Sequence, residues 1–177
     1  MNEPSPWLLR WAHLIGPGGS VLDVAAGAGR HSRWLAQRGH AVTAVDRDAA
    51  AMKALQPIAE TIVADLEHGP WPLNERRFDA VVVANYLWRP LFPAIVAALA
   101  RGGVLVYETF ARGNETVGRP SNPEFLLAPG ELLGVATGLH IVAYEDGFLG
   151  DPERFVQRVA AVRESDAELR VRYVLGE

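Results

Sequence analysis

Residues 21–30 read Val21-Leu22-Asp23-Val24-Ala25-Ala26-Gly27-Ala28-Gly29-Arg30, and the fold is decided by how this stretch is read. Residues 21–25 form a short apolar strand with a carboxylate inside it, and the small residues that follow make a loop leading into a helix. A strand that feeds a glycine-rich turn and a helix N-terminus presents backbone N–H groups where no large side chain blocks a ligand. The loop is therefore a device of nucleotide size. Asp23 qualifies that reading, because a carboxylate at this point repels a pyrophosphate and suits a ligand carrying positive charge.

Working outward, Ser5 and Pro6 supply a cap and a first-turn proline for a helix over about 6–15, and residues 16–19, Gly-Pro-Gly-Gly, end it. Downstream of the loop the pattern predicts a helix over about 30–38 closed by Gly39, a strand over 41–45 with Asp46 at its end, and a helix over 48–55. A short strand near 61–64 ends at Asp65, and the Phe78–Ala84 strand lacks alternation, as expected of a parallel strand covered on both faces. A helix over about 91–100 and a fifth strand over 104–110 follow. Residues 111–128 are too long for an ordinary connection and read as a substrate loop or lid. A short helix over 129–136 and strands over about 139–147 and 155–163 complete the chain, with 163–172 read as a solvated charged face. The pattern predicts one α/β domain over 1–177, a three-layer sandwich around a mostly parallel, Rossmann-like sheet.

Composition narrows the function. The 177 residues carry 17 basic and 21 acidic side chains, a net charge of −4, so a nucleic-acid partner is disfavoured. With no cysteine there is no disulfide, thiolate nucleophile or Cys-based zinc site, and the histidines at 13, 31, 40, 68 and 140 lack ligand spacing, so no metal is expected. No run reaches the length of a membrane span and the N-terminus does not read as a leader, which predicts a soluble cytoplasmic protein with no membrane partner.

In open parallel sheets ligands sit beyond the carboxyl ends of the strands, near the point where strand order reverses. Asp46, Asp65 and Asn85 close successive strands on that rim. Asp46 lies 23 positions after Asp23 (46 − 23), a separation that sets a second-strand carboxylate beside a nucleoside ribose. The candidate nucleoside-binding set is Asp23, Ala25, Ala26, Gly27, Gly29, Asp46, Arg47, Asp65, Leu66 and Asn85. Plainer roles exist for two of them, with Asp23 capping loop amides and Asp65 capping a turn. A competing reading takes 27–32, Gly-Ala-Gly-Arg-His-Ser, as a degenerate dinucleotide fingerprint of an NAD(P)-dependent oxidoreductase, which Asp23 and Ala25 together oppose. A non-catalytic nucleoside-binding subunit is a third.

With these motifs the chain resembles the class I S-adenosylmethionine-dependent methyltransferases over nearly its whole length. Val21, Leu22, Asp23, Gly27 and Gly29 match that family's first motif, with Ala25 replacing its first glycine. The resemblance implies S-adenosylmethionine as cofactor and S-adenosylhomocysteine as product. It also implies Asp46 on the ribose, Asp65 on the adenine side, a fourth-strand motif from Phe78 to Asn85, and strand order 3-2-1-4-5-7-6 with the seventh strand antiparallel. Residues 71–73, 85–90, 107–110 and 113–115 are similar to small bacterial methyltransferases of unassigned substrate, and more loosely to tellurite-resistance methyltransferases. Tyr86, Arg89, Glu108, Arg112 and Asn114 are candidates for the acceptor side, with Arg119 and Asn122 as further polar groups. Trp7, Trp11 and Trp88 are candidates for an aromatic wall. The absence of an appended domain or basic groove favours a small-molecule acceptor. Oligomeric state is left open.

Overall fold

The computed structural model describes residues 3–165 and 171–175. Seven strands, β1 (Ser20–Val24), β2 (Ala41–Asp46), β3 (Glu60–Val63), β4 (Phe78–Ala84), β5 (Leu99–Phe110), β6 (His140–Gly150) and β7 (Glu153–Val162), form one sheet in the order β3-β2-β1-β4-β5-β7-β6. The first five run parallel and β7 is antiparallel to both neighbours, as the resemblance implies. Strand order reverses between β1 and β4, so the tips of these two strands flank the crevice where such sheets take ligands.

Helices α1 (Pro6–Trp11), α2 (Arg30–Gln37), α3 (Ala49–Leu55), α4 (Phe92–Ala97) and α5 (Glu131–Val135) cover the two faces. The α1 start is fixed by Ser5, whose Oγ accepts from the N–H groups of Trp7 and Leu8, with Pro6 in the first turn where it forfeits no bond. Trp7, Leu8 and Trp11 lie in a core layer with Val21, Leu35, Val82, Val104, Val106 and Ala160. The other face packs Leu22, Val81, Val83, Ile95, Leu105, Tyr107 and Leu132. Trp7 Nε1 donates to the Val159 carbonyl at 3.1 Å, which satisfies the one polar atom of a buried indole.

Three boundaries differ from the sequence reading. The helix expected over 91–100 is α4, six residues long, entered through a single 3₁₀ turn at Arg89–Leu91, and β5 begins at Leu99 rather than at 104. Gly102, at φ +78°, lets the chain turn, and its N–H donates to the Arg163 carbonyl while Arg163 N–H donates to Gly103. Sheet pairing across Gly102-Gly103 thus takes residues that helical periodicity had claimed. The β6–β7 hairpin extends to residues 150 and 153, its tip held by Phe148 packed on Phe155 at a ring separation of 5.0 Å. The charged face assigned to 163–172 falls partly on 166–170, outside the described residues. Among the described residues no helix is long and apolar enough to cross a membrane.

Candidate functional site

The loop after β1 is built from three left-handed residues in five positions: Ala25 at φ +54°, Gly27 at +54° and Gly29 at +76°. Ala25, which stands where the related motif has glycine, adopts the turn conformation nonetheless, at a cost of roughly 1–2 kcal/mol for a residue with a Cβ. The two glycines serve different ends. A Cβ on Gly27 would meet nothing within 4 Å, whereas one on Gly29 would lie 2.4 Å from the Leu55 side chain. Gly27 therefore leaves backbone open to a cavity, and Gly29 lets α2 begin hard against α3.

That cavity, of about 450 Å³, lies over the tips of β1, β2, β3 and β4. Ala25, Gly27, Asp46, Arg47, Asp65, Leu66 and Asn85 from the candidate set line it, joined by Tyr86. A second cavity of about 300 Å³ adjoins it around the loop, sharing Ala25, Gly27, Ala28 and Asn85 and adding Ala26, Arg30, His31 and Ala84. The α2 start (Arg30, His31) and Glu67 were missed as lining residues by the sequence reading, although their position just after the loop and just after Asp65 was visible there.

Asp46 sits at the join. Its Oδ2 accepts from Gly27 N–H at 2.8 Å and its Oδ1 from Asp48 N–H at 2.9 Å, so the carboxylate both shapes the loop and faces the larger cavity. Asp65 lines the same cavity while capping a turn. It accepts from the N–H groups of Glu67 and His68 and from His68 Nδ1 at 3.1 Å, and the Glu67 bond above all holds its carboxyl below the usual range.

Asp23 behaves differently from the expectation of direct charge pairing with a ligand. It is 1% exposed and lines neither cavity; its Oδ2 accepts from Ser32 N–H at 3.1 Å and Ser32 Oγ at 2.6 Å, fastening β1 to the first turn of α2. Burial pushes this carboxyl up to about 6 against the pull of the Ser32 bonds. His31 beside it, with Nδ1 3.9 Å from Asp23 Oδ1, is pushed down to about 4 by burial and the Arg30 charge. The Nε2 of His31 is buried without a partner.

The five acceptor-side candidates do not converge. Arg89 is committed to the 111–128 segment: it donates to both carboxylate oxygens of Glu131 at 2.7 and 3.0 Å and to the carbonyls of Glu124 and Leu126. Asn114 is buried, its Nδ2 donating to Pro120 O and its Oδ1 accepting from Phe155 N–H. Arg112 is exposed and contributes its main-chain N–H to Leu127 O. The segment is thus a strap, tied at both ends and with Leu126 and Leu127 in the core. Tyr86 and Glu108 remain. The Tyr86 hydroxyl is buried without a partner, and burial together with the Glu67 and Asp65 charges raises it far above an ordinary phenol. Glu108 is 3% exposed and neither carboxylate oxygen has a partner. Of the tryptophans, Trp7 and Trp11 are core residues rather than an aromatic wall, and Trp88 packs on the core near His68.

Residues 21–103 match the family described as "Methyltransferase domain". Over 91% of this chain and 63% of theirs, the coordinates resemble TehB from Haemophilus influenzae at a TM-score of 0.73 and 20% identity. A TehB-like S-adenosylmethionine-dependent methyltransferase from Corynebacterium glutamicum gives 0.65 at 24% identity, covering 90% of this chain and 87% of that one. The 1,6-didemethyltoxoflavin-N1-methyltransferase of Burkholderia thailandensis, solved with its substrate and S-adenosylhomocysteine, gives 0.65 at 18% identity over 90% of this chain and 76% of that one. The chain spans less than two thirds of the Haemophilus protein. A comparison with curated protein sequences yields no match. Sheet order and the matched stretch define an α/β fold of the methyltransferase type. Residues 21–103 are thus similar to a methyltransferase domain, and the whole chain shares the fold of these solved methyltransferases.

Proposed function

We propose that this protein transfers a methyl group from S-adenosylmethionine to a small-molecule acceptor, with the nucleoside held across the tips of β1, β2, β3 and β4. The observation that carries this reading is the pairing, in one cavity, of open loop backbone at Gly27 with the Asp46 carboxylate at the end of the next strand. The residues fit the group: Gly27 offers space where any side chain would intrude, and Asp46 retains lone pairs on both oxygens for the two ribose hydroxyls. Asp65, Leu66 and Asn85 would border the base, and the loop amides with the α2 start would take the methionine portion.

When bound, the cofactor supplies an activated methyl on a sulfonium whose departure leaves a neutral thioether. The chain therefore has to align and enclose rather than attack. Asp46 orients, the loop backbone positions, and the strap over 111–128 forms a fixed wall on the β5 side, held by Arg89 and Asn114. Tyr86, whose raised hydroxyl is buried and stays protonated at neutral pH, does not suit the role of base. A small acceptor is supported by the net charge of −4 and by the modest size of the second cavity, about 300 Å³. The Burkholderia neighbour acts on a compound of that size. Calorimetric titration with S-adenosylhomocysteine and separately with NADH tests the reading. Saturable binding of the first alone is expected; binding of NADH alone overturns it.

A further inference from the structure

Helices α4 and α5 leave between them a groove of about 610 Å³, a volume within the range of small-molecule sites, which shares no residue with the two cavities at the nucleoside rim. Phe92, Pro93, Val96 and Ala97, one face of α4, form one wall, and Gly134 and Val135 of α5 stand opposite. The two ends are polar and differ in kind. At one end the Arg89–Glu131 pair is closed on itself: both Glu131 oxygens accept from Arg89, and Oε2 accepts also from Ala128 N–H at 2.7 Å. At the other end stands Arg163, the residue after β7.

Arg163 Nη2 donates to the Val96 carbonyl at 2.8 Å, which sets the guanidinium against the last turn of α4. No carboxylate of the described residues pairs with it. Its Nε is enclosed without a partner, whereas Nη1 has no hydrogen bond and is not enclosed, so Nη1 is the donor a ligand can reach. With Glu131 neutralised by Arg89, the lining carries one uncompensated positive charge and no free carboxylate.

Gly134 keeps the groove open. Its backbone is right-handed helix and a Cβ there would meet nothing within 4 Å, so neither a turn nor a close approach calls for glycine. Glycine weakens a helix relative to alanine. What the missing side chain provides is room along the groove.

We propose that this groove is a second binding site, taking an apolar monocarboxylate whose carboxylate pairs with Arg163 and whose chain lies over Phe92, Pro93, Val96 and Val135 towards the Arg89–Glu131 pair. Such a ligand matches the groove in sign and in length. From Arg89 to Val96 the 3₁₀ turn and α4 rise roughly 11 Å, the span of an extended acyl chain of medium length. A cationic amphiphile is repelled by Arg163, and a neutral one leaves the guanidinium unpaired.

Calorimetric titration of the full chain with octanoate, 1-octanol and octylamine tests the assignment. Octanoate should bind at a single site per chain, at least about tenfold more tightly than the neutral or the cationic compound, and Arg163→Gln should erase that preference. Arg163→Lys, which keeps the charge, should retain part of it. Gly134→Leu places a good helix former in open space, so its Tm should hold or rise while octanoate weakens at least about tenfold because the groove is filled. This variant decides the matter should Arg163→Gln fail to fold. Octanol bound as tightly as octanoate, wild-type affinity for octanoate in folded Gly134→Leu, or no saturable octanoate binding by wild type would each overturn the site. S-adenosylhomocysteine should bind wild type and the variants alike, since no residue of the groove lines the nucleoside cavities.

Discussion

Replacing Gly29 with alanine sets a methyl group where Leu55 already lies, and the consequence can be worked through term by term. The built Cβ would stand 2.4, 2.5 and 2.8 Å from three carbons of a side chain that is itself fully buried beneath α3. Overpacking of this kind costs roughly 1–3 kcal/mol. The backbone at φ +76° adds roughly 1–2 kcal/mol for any residue with a Cβ. Gly29→Ala is therefore expected to lose about 2–5 kcal/mol, a fall in Tm of roughly 4–20 °C for a chain of this size. Gly27→Ala provides the control within the same loop. It meets the backbone cost alone, since nothing lies within 4 Å of its Cβ, and its Tm should fall by roughly 2–8 °C. Its effect should appear instead in affinity for S-adenosylhomocysteine, because the new methyl projects into the space reserved for ligand. Thermal denaturation by circular dichroism and calorimetric titration read the two effects separately. Equal losses of stability in both variants, or undiminished affinity in a folded Gly27→Ala, would refute the division of labour between the two glycines.

Asp46→Ala should weaken S-adenosylhomocysteine at least ~10-fold, since charge-assisted bonds contribute roughly 1.5–3 kcal/mol each, and an unchanged dissociation constant in a folded variant rejects the ribose role. Arg89→Ala frees Glu131 and the carbonyls of Glu124 and Leu126, so hydrogen exchange measured by mass spectrometry should quicken across the strap, with about 1–2 kcal/mol lost from a half-exposed network; unaltered exchange at 122–127 would count against the clamp. The third concerns pH. Asp23, raised from 3.8 to about 6, favours the fold at low pH and loses that contribution as pH rises through about 6, whereas His31, lowered from 6.5 to about 4, favours the fold above 6.5 and loses its contribution on acidification. The two oppose each other, so removing the carboxyl in Asp23→Asn leaves the histidine alone. Between pH 7 and pH 4.5 the variant should lose about 2 kcal/mol more stability than wild type in urea denaturation, and parallel losses would contradict the buried titration of Asp23.

Much of the site was legible in the chain because it rests on local chemistry. The left-handed turn needs small residues, and Gly27 and Gly29 announce it; Asp46 and Asn85 end apolar strands, and a parallel sheet brings such ends to one rim whatever the remaining sequence. The same local logic misplaced the end of the helix before β5, where Gly102-Gly103, set between the expected helix and strand, lie inside the strand, paired with Arg163 some 60 residues on (163 − 103). Helical periodicity cannot register a partner that distant.

Which polar side chains are spent and which are left available was settled by tertiary packing. Arg89, Asn114 and Glu108 look alike as polar residues near strand ends, but two find partners on the strap and on β7, while the third is enclosed with none. Asp23 likewise could have faced a ligand or a helix, and the position of Ser32 on α2 turned it to the helix. Sequence by itself determined the order of elements and the rim of polar strand ends, because periodicity and turn chemistry act over a few residues. Only the folded chain decided how each carboxylate and guanidinium is employed, because a side chain's charge is satisfied by groups that share its place in space and not its place along the backbone.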